Sequence, residues 1–151
     1  MGRLEYQFSS HRAGLAGLKL PGMLAPGLRG EAHLTVDFTL TAAALGDFGV
    51  VVLGTPYMIN LMELASAKAV EPELEPGQTT VGTLVDVKHL VATPIDMKVT
   101  ATSHLVEVDG RRLVFEVEAR DQVEKIGEGR HERFILDLQR FLERTAAKKP
   151  A

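Results

Sequence analysis

From Val81 to Leu138 the chain carries strand-period side chains almost without interruption, and this feature limits the folds open to it. Val81, Val85, Val87, His89 and Val91 are predicted to share one face of a strand that ends at the Thr93-Pro94 turn. A second strand is expected over Met97–Val108, followed by Asp109-Gly110, a hairpin signal because both residue types tolerate positive φ. Leu113, Phe115, Val117 and Ala119 then alternate with Val114, Glu116, Glu118 and Arg120. After a turn near Glu124-Lys125, Gly127–Leu138 forms the last strand, and Gln139–Lys148 reads as a short solvated helix. Four successive antiparallel strands present an apolar face that must be covered.

The cover is a single helix. Thr55-Pro56 is a good helix start, with Thr expected as N-cap and Pro at the first helical position. Met58, Ile59, Leu61, Met62, Ala65, Ala69 and Val70 continue a wide apolar stripe, and Glu71-Pro72 ends it. Ahead of the helix, Ala32, Leu34, Val36, Phe38 and Leu40 alternate with polar residues as a strand, and Val50–Leu53 reads as a short buried one. One buried helix against one antiparallel sheet is an α+β arrangement.

At 151 residues with 45% apolar and 25% charged side chains, the chain is sized for one domain with a real core. Residues 1–30 differ: Gly14–Gly30 is rich in Gly, Leu and Pro without a period, so they are read as an irregular arm before one domain at 31–151. Gly, Lys and Pro break every apolar run there, so neither a secretory leader nor a membrane span is expected, and a cytoplasmic location follows by default. The absence of Cys excludes disulfides, thiolate metal sites and a Cys nucleophile. A net charge of −3 argues against a nucleic-acid partner. There is no GxxxxGK[ST], HExxH or GxSxG motif; His131-Glu132 lacks a second His, so no metal is expected.

Three residues stand out on physical grounds. Glu63 follows Met62, close to the apolar stripe, and is either a rim carboxylate reaching water or a functional group with a perturbed environment. His89 lies between Val87 and Val91 on an apolar face, as a core histidine or a catalyst. Thr55 is accounted for by capping alone. Arg133 falls on the same strand face as Ile135, opposite Phe134, which calls for an anionic partner unless it is a surface ion pair.

Read together, GTPYMINLMELASAKAVEPELEPGQTTVGTLVDVKHLVATP and the later GEGRHERFILDL resemble the fluoroacetyl-CoA-thioesterase-like branch of the hotdog thioesterases. The likeness lies in a Thr eight residues before a helical Glu, a Gly-Thr strand running into a His twenty-six residues after that Glu, and a G-x-H-E-R strand near the C-terminus. The resemblance covers roughly Leu28 to Phe141 and implies a long helix wrapped by an antiparallel sheet. It further implies hydrolysis of an acyl-CoA thioester in a homodimer or dimer of dimers, without a cofactor beyond the coenzyme A of the substrate. Thr55, Glu63 and His89 fall on the family's catalytic Thr, Glu and His, and Gly82 and Arg133 on its substrate-contacting Gly and Arg. Glu63 paired with His89 would supply the base, Tyr57 or Met58 amides at the helix start the oxyanion donors, and Gly82 room for the ligand beside the strand.

Two departures qualify the likeness. Asp96 stands where the family has Gly after the Thr-Pro turn, and LGDFGVVV at 45–52 lacks the aromatic crowding that accompanies fluoroacetyl selectivity. A short, medium-length or aromatic acyl group is therefore expected. The alternatives are a non-catalytic acyl-CoA sensor and a hotdog hydratase or dehydratase, the latter disfavoured by Thr55-Pro56 at the helix start. Helix geometry adds one constraint. Eight residues at ~1.5 Å each put the Thr55 and Glu63 Cα atoms ~12 Å apart, which favours a site shared between two subunits.

Overall fold

A computed structural model describes residues 23–150. Its sheet begins at β1 (Arg29–Thr35), and the long helix α1 (Thr55–Val70) follows. β2 (Gln78–His89), β3 (Lys98–Asp109), β4 (Arg112–Arg120) and β5 (Lys125–Asp137) come next, and α2 (Leu138–Ala146) closes the chain. The sheet order is β1-β3-β4-β5-β2 with every neighbouring pair antiparallel, so β1 and β2 are its two edges. The α+β expectation, one buried helix wrapped by an antiparallel sheet, is what the chain adopts.

The core forms where α1 meets the inner faces of the strands. Met58, Leu61, Met62, Ala65, Ala69 and Val70 are buried against Ala32, Val99, Ala101, Leu105, Phe115 and Ile126. Fully burying each of the larger side chains stabilises the fold by ~1.5–3 kcal/mol. The small residues of α1 set how closely the sheet can approach. A Cβ on Gly30 would overlap the Ala65 carbonyl oxygen, so β1 passes against the helix backbone and only Gly fits. On β3, Ser103 meets Ser66 of α1 at 2.7 Å, and Ser66 also donates to the Met62 carbonyl, so this buried polar pair is satisfied.

Four local expectations are corrected. The strand predicted from Glu31 to Leu40 pairs only over Arg29–Thr35, taking its first two residues from the arm. It stops because Asp37 accepts hydrogen bonds from the Thr39 amide and hydroxyl and opens a 3₁₀ turn at Phe38–Leu40. Val50–Leu53 is no strand; only isolated bridges, Thr41 to Leu53 and Val52 to Pro94, survive there. Thr55 is not the N-cap. Gly54 occupies that position and Thr55 is the first helical residue. In β2, a bulge at Thr83 shifts the register, so Val81 pairs with Phe134 while Val85 pairs with the inward His131. Val81 therefore leaves the face that Val85, Val87 and His89 share. The larger part of the predicted arm, residues 1–22, lies outside the described residues.

Asp96 departs from ordinary geometry too. Its φ is +74°, and among the described residues it is the one non-glycine with positive φ, which accounts for a Gly being the usual occupant of such a turn.

Candidate active site

Freed from capping, the Thr55 hydroxyl points across to the end of β2, where its Oγ1 lies 2.7 Å from His89 Nδ1. The first turn of α1 fixes Thr55, and the last residue of β2 fixes His89. Burial holds the His89 pKa below the ordinary imidazole value, with a backbone interaction at Val91 opposing it. A neutral ring with its proton on Nε2 leaves Nδ1 free to accept the threonine hydroxyl. His89 Nε2 is itself buried and makes no hydrogen bond among the described residues.

The helix start does not offer the expected oxyanion donors. The Tyr57 and Met58 amides both donate to the Gly54 carbonyl, at 3.0 and 3.3 Å. Pro56 has no N–H, so at the start of α1 the amide without a hydrogen bond among the described residues is that of Thr55.

Glu63 belongs to a different cluster. Its Oε1 lies 3.8 Å from His131 Nε2 and 4.0 Å from Arg133 Nη1, both on β5. Gly82, paired with Arg133 across the sheet, sits directly beneath this carboxylate, and a Cβ there would collide with Glu63 Oε1. The space over Gly82 that the sequence reading reserved for a ligand is thus filled by Glu63. Arg133 is buried at 8% exposure, which rules out a surface ion pair. Its Nε donates to Thr80 Oγ1 at 2.8 Å, Nη2 to the Thr80 carbonyl at 2.9 Å and Nη1 to His131 Nε2 at 3.2 Å. Desolvation lowers its pKa, with Glu63 acting in the opposite sense.

His131 and Thr80 were not singled out from the sequence. A usable signal was there: His131, Arg133 and Ile135 stand two apart on one strand face, so a histidine lay beside the buried arginine. Within one chain, then, Thr55 joins His89, and Glu63 joins Gly82, His131 and Arg133. The two groups do not meet.

Beside Thr55 and His89 opens a cavity of about 490 Å³, lined by Leu45, Val50, Val52, Leu53, Leu90 and Val91 among others. A larger depression of about 670 Å³ on the outer sheet face carries alternating charges, such as Lys88, Glu118, Glu128 and Arg130, and holds neither Thr55 nor His89. The apolar cavity is the one next to Thr55 and His89.

A sheet curled around one helix, with a Thr–His pair at the helix start and a carboxylate further along it, defines a hotdog-fold enzyme acting on thioesters. The chain belongs to the FlK family of fluoroacetyl-CoA-specific thioesterases, whose sequence model matches residues 36–139. It is 44% identical over 100 residues to the fluoroacetyl-CoA thioesterase of Streptantibioticus cattleyicolor, covering 66% of this chain and 72% of that protein. A solved structure of a fluoroacetyl-CoA thioesterase superposes with a TM-score of 0.79 at 36% identity, spanning 85% of this chain and 99% of the other. A hot-dog-like protein from Thermanaerovibrio acidaminovorans, 19% identical, shares the fold with a TM-score of 0.75 over 83% of this chain and 93% of its own. The protein is a thioester hydrolase, as the sequence resemblance implied. Among the described residues no helix is long and apolar enough to cross a membrane.

Proposed function

We propose that this thioesterase hydrolyses an acyl-CoA carrying a short, medium-length or aromatic acyl group, in a homodimer whose two sites are each built from both subunits. The observation that carries this reading is the Thr55–His89 pair at 2.7 Å with a buried, unpartnered Nε2 on its far side. Leaving such a group unsatisfied costs ~1–3 kcal/mol, so an acceptor is called for. Glu63 cannot be that acceptor in the same chain, where its neighbours are His131 and Arg133. It can be so in a second copy.

β2 supports the pairing. It is a sheet edge of twelve residues with Leu84 and Val85 exposed at 41% and 42%, a template for another strand. Antiparallel pairing of two β2 strands about a two-fold axis near Val85–Asp86 sets Gly82 opposite the partner's His89. The inward side chains of facing residues share a side, so the partner's His89 arrives beside Glu63.

In that composite site Glu63 accepts from His89 Nε2–H and holds the ring with Nδ1 as the base. His89 Nδ1 takes the proton from the attacking group, either the Thr55 hydroxyl or a water held by it, as that group adds to the thioester carbonyl. The Thr55 amide, at the positive end of α1, is the donor available to the developing oxyanion. Collapse expels the coenzyme A thiolate, which leaves with the proton returned by His89; where Thr55 is the attacking group, a water deprotonated by the same His89 then hydrolyses the acyl-threonine ester and frees the hydroxyl. Gly82 and Arg133 frame Glu63 at the point where the substrate passes between subunits. Coenzyme A enters as part of the substrate, and no separate cofactor takes part.

The acyl preference rests on the loop at 45–52. Its one aromatic residue, Phe48, is fully exposed, so no ring of this loop closes the apolar cavity to the size of a fluoroacetyl group. Thiol release from a panel of acyl-CoA esters tests this reading. Turnover should peak with acyl groups larger than acetyl; preference for fluoroacetyl-CoA, or tight binding without turnover, would reject it.

A further inference from the structure

His131 is 1% exposed, yet neither the Thr55–His89 pair nor the core packing uses its polar atoms. Its ring is stacked on Phe115, with centroids 6.2 Å apart and planes inclined by 29°. Nδ1 is 2.8 Å from the Leu84 carbonyl and so must donate to it. Nε2 is then a bare acceptor, and it receives Arg133 Nη1 at 3.2 Å. Both ring nitrogens are therefore assigned without ambiguity. Burial keeps the imidazole neutral by lowering its pKa, against the pull of the Leu84 hydrogen bond. A protonated ring would lose the acceptor and set two cations side by side.

Arg133 is held from three directions. Thr80 takes two of its donors through the hydroxyl and the carbonyl, and His131 takes the third. These bonds fix the guanidinium plane, and what remains of it faces Glu63 Oε1 at 4.0 Å. Without the acceptor on His131, the guanidinium would be held from the Thr80 side alone, and its Nη1 edge, the one facing the carboxylate over Gly82, would lose its anchor.

We propose that His131 is a positioning residue for hydrolysis: as a neutral hydrogen-bond acceptor it locks Arg133, and Arg133 in turn holds Glu63 in the orientation from which it meets the partner's His89. The inference rests on the catalytic part assigned to Glu63 above. His131 touches no substrate, and its contribution passes through two other side chains.

Two substitutions separate the acceptor from mere bulk. In His131→Gln the side-chain oxygen reaches the position of Nε2 and still accepts from Arg133. In His131→Asn the shorter side chain keeps only the bond to the Leu84 carbonyl. Purified His131→Asn should lose ~10-fold or more in kcat, within the range of a displaced general-base array, with KM changed by less than ~2-fold. His131→Gln should return kcat to within ~3-fold of the wild type. Thermal unfolding of both variants monitors the fold, and the Gln variant carries the test if the Asn variant does not fold.

The same pair is then made in a Glu63→Gln background. If His131 acts through Glu63, His131→Asn should add no further loss there. A full ~10-fold additional loss in that background, or a folded His131→Gln variant as inactive as His131→Asn, overturns the positioning role. Glu63→Gln alone retaining wild-type turnover would instead overturn the proposed catalytic role of Glu63, a result distinguishable from the other two because it needs no change at His131.

Discussion

The composite site can be tested by mixing two dead enzymes. Thr55 and Glu63 lie on one straight helix, α1, eight residues apart, which puts their Cα atoms ~12 Å from each other. His89 does not bridge that gap within the chain, because its Nδ1 is 2.7 Å from Thr55 while Glu63 is surrounded by His131 and Arg133. A Thr55→Ala chain and a Glu63→Ala chain should each form inactive homodimers. In a heterodimer of the two, one site gathers both defects and the other is wholly intact. Random reassociation at equal amounts makes half of the dimers mixed, so about one quarter of all sites should regain activity. The variants are unfolded and refolded together, and thiol release from an acyl-CoA is compared with refolded wild type and with each variant refolded alone. Recovery should scale with the product of the two mole fractions and peak at equal mixing. Absence of recovery, with heterodimers demonstrated by two distinguishable tags, would refute the shared site and require both residues to act within one chain.

Other predictions address single residues. His89→Ala should reduce turnover by at least ~10²-fold, and the wild-type rate should fall on the acid side. Burial lowers the His89 pKa whereas a carboxylate at Nε2 raises it, so Glu63→Gln should move the acid-side bend of the residual kcat to lower pH than in the wild type; a bend that stays in place would contradict the Glu63–His89 pairing. Gly82→Ala places a methyl group where Glu63 Oε1 lies, so kcat should drop by ~10-fold or more with secondary structure unchanged in circular dichroism. Near-normal kcat would show that Glu63 need not occupy that position. Asp96→Val should cost ~1–2 kcal/mol in denaturant unfolding, since a β-branched residue resists a φ of +74°, whereas Asp96→Asn should be nearly neutral.

Much of this architecture could be read from periodicity. The inward set Leu113, Phe115, Val117 and Ala119 was correct because β4 itself runs unbroken; the bulges beside it fall on its neighbours, at Val106 of β3 and Ile126 of β5. The misreadings arose where a polar side chain or a local defect overrides the period. Asp37 ends β1 by binding its own neighbours, and the bulge at Thr83 has no compositional mark. Thr55 looked like a cap because Ser and Thr favour that position, yet its hydroxyl is better satisfied by a histidine thirty-four residues away. No local rule sees that contact; only the resemblance had grouped Thr55 with His89. Glu63 stood out beside the apolar stripe of its helix, but its neighbours His131 and Arg133 depend on the register between β2 and β5.

That bulge also constrains how the strand can change in length. Gly82 and His89 are seven positions apart, an odd interval that on an unbroken strand would turn them to opposite sides of the sheet. The extra residue at Thr83 converts odd to even, and both end up toward α1. Deleting Thr83 would remove the bulge and leave Gly82 and His89 six positions apart, still on the same side of a now regular strand. A one-residue insertion or deletion between Leu84 and Lys88, with the bulge retained, would instead turn one of the two outward, so the strand accepts a single-residue change only at the bulge itself.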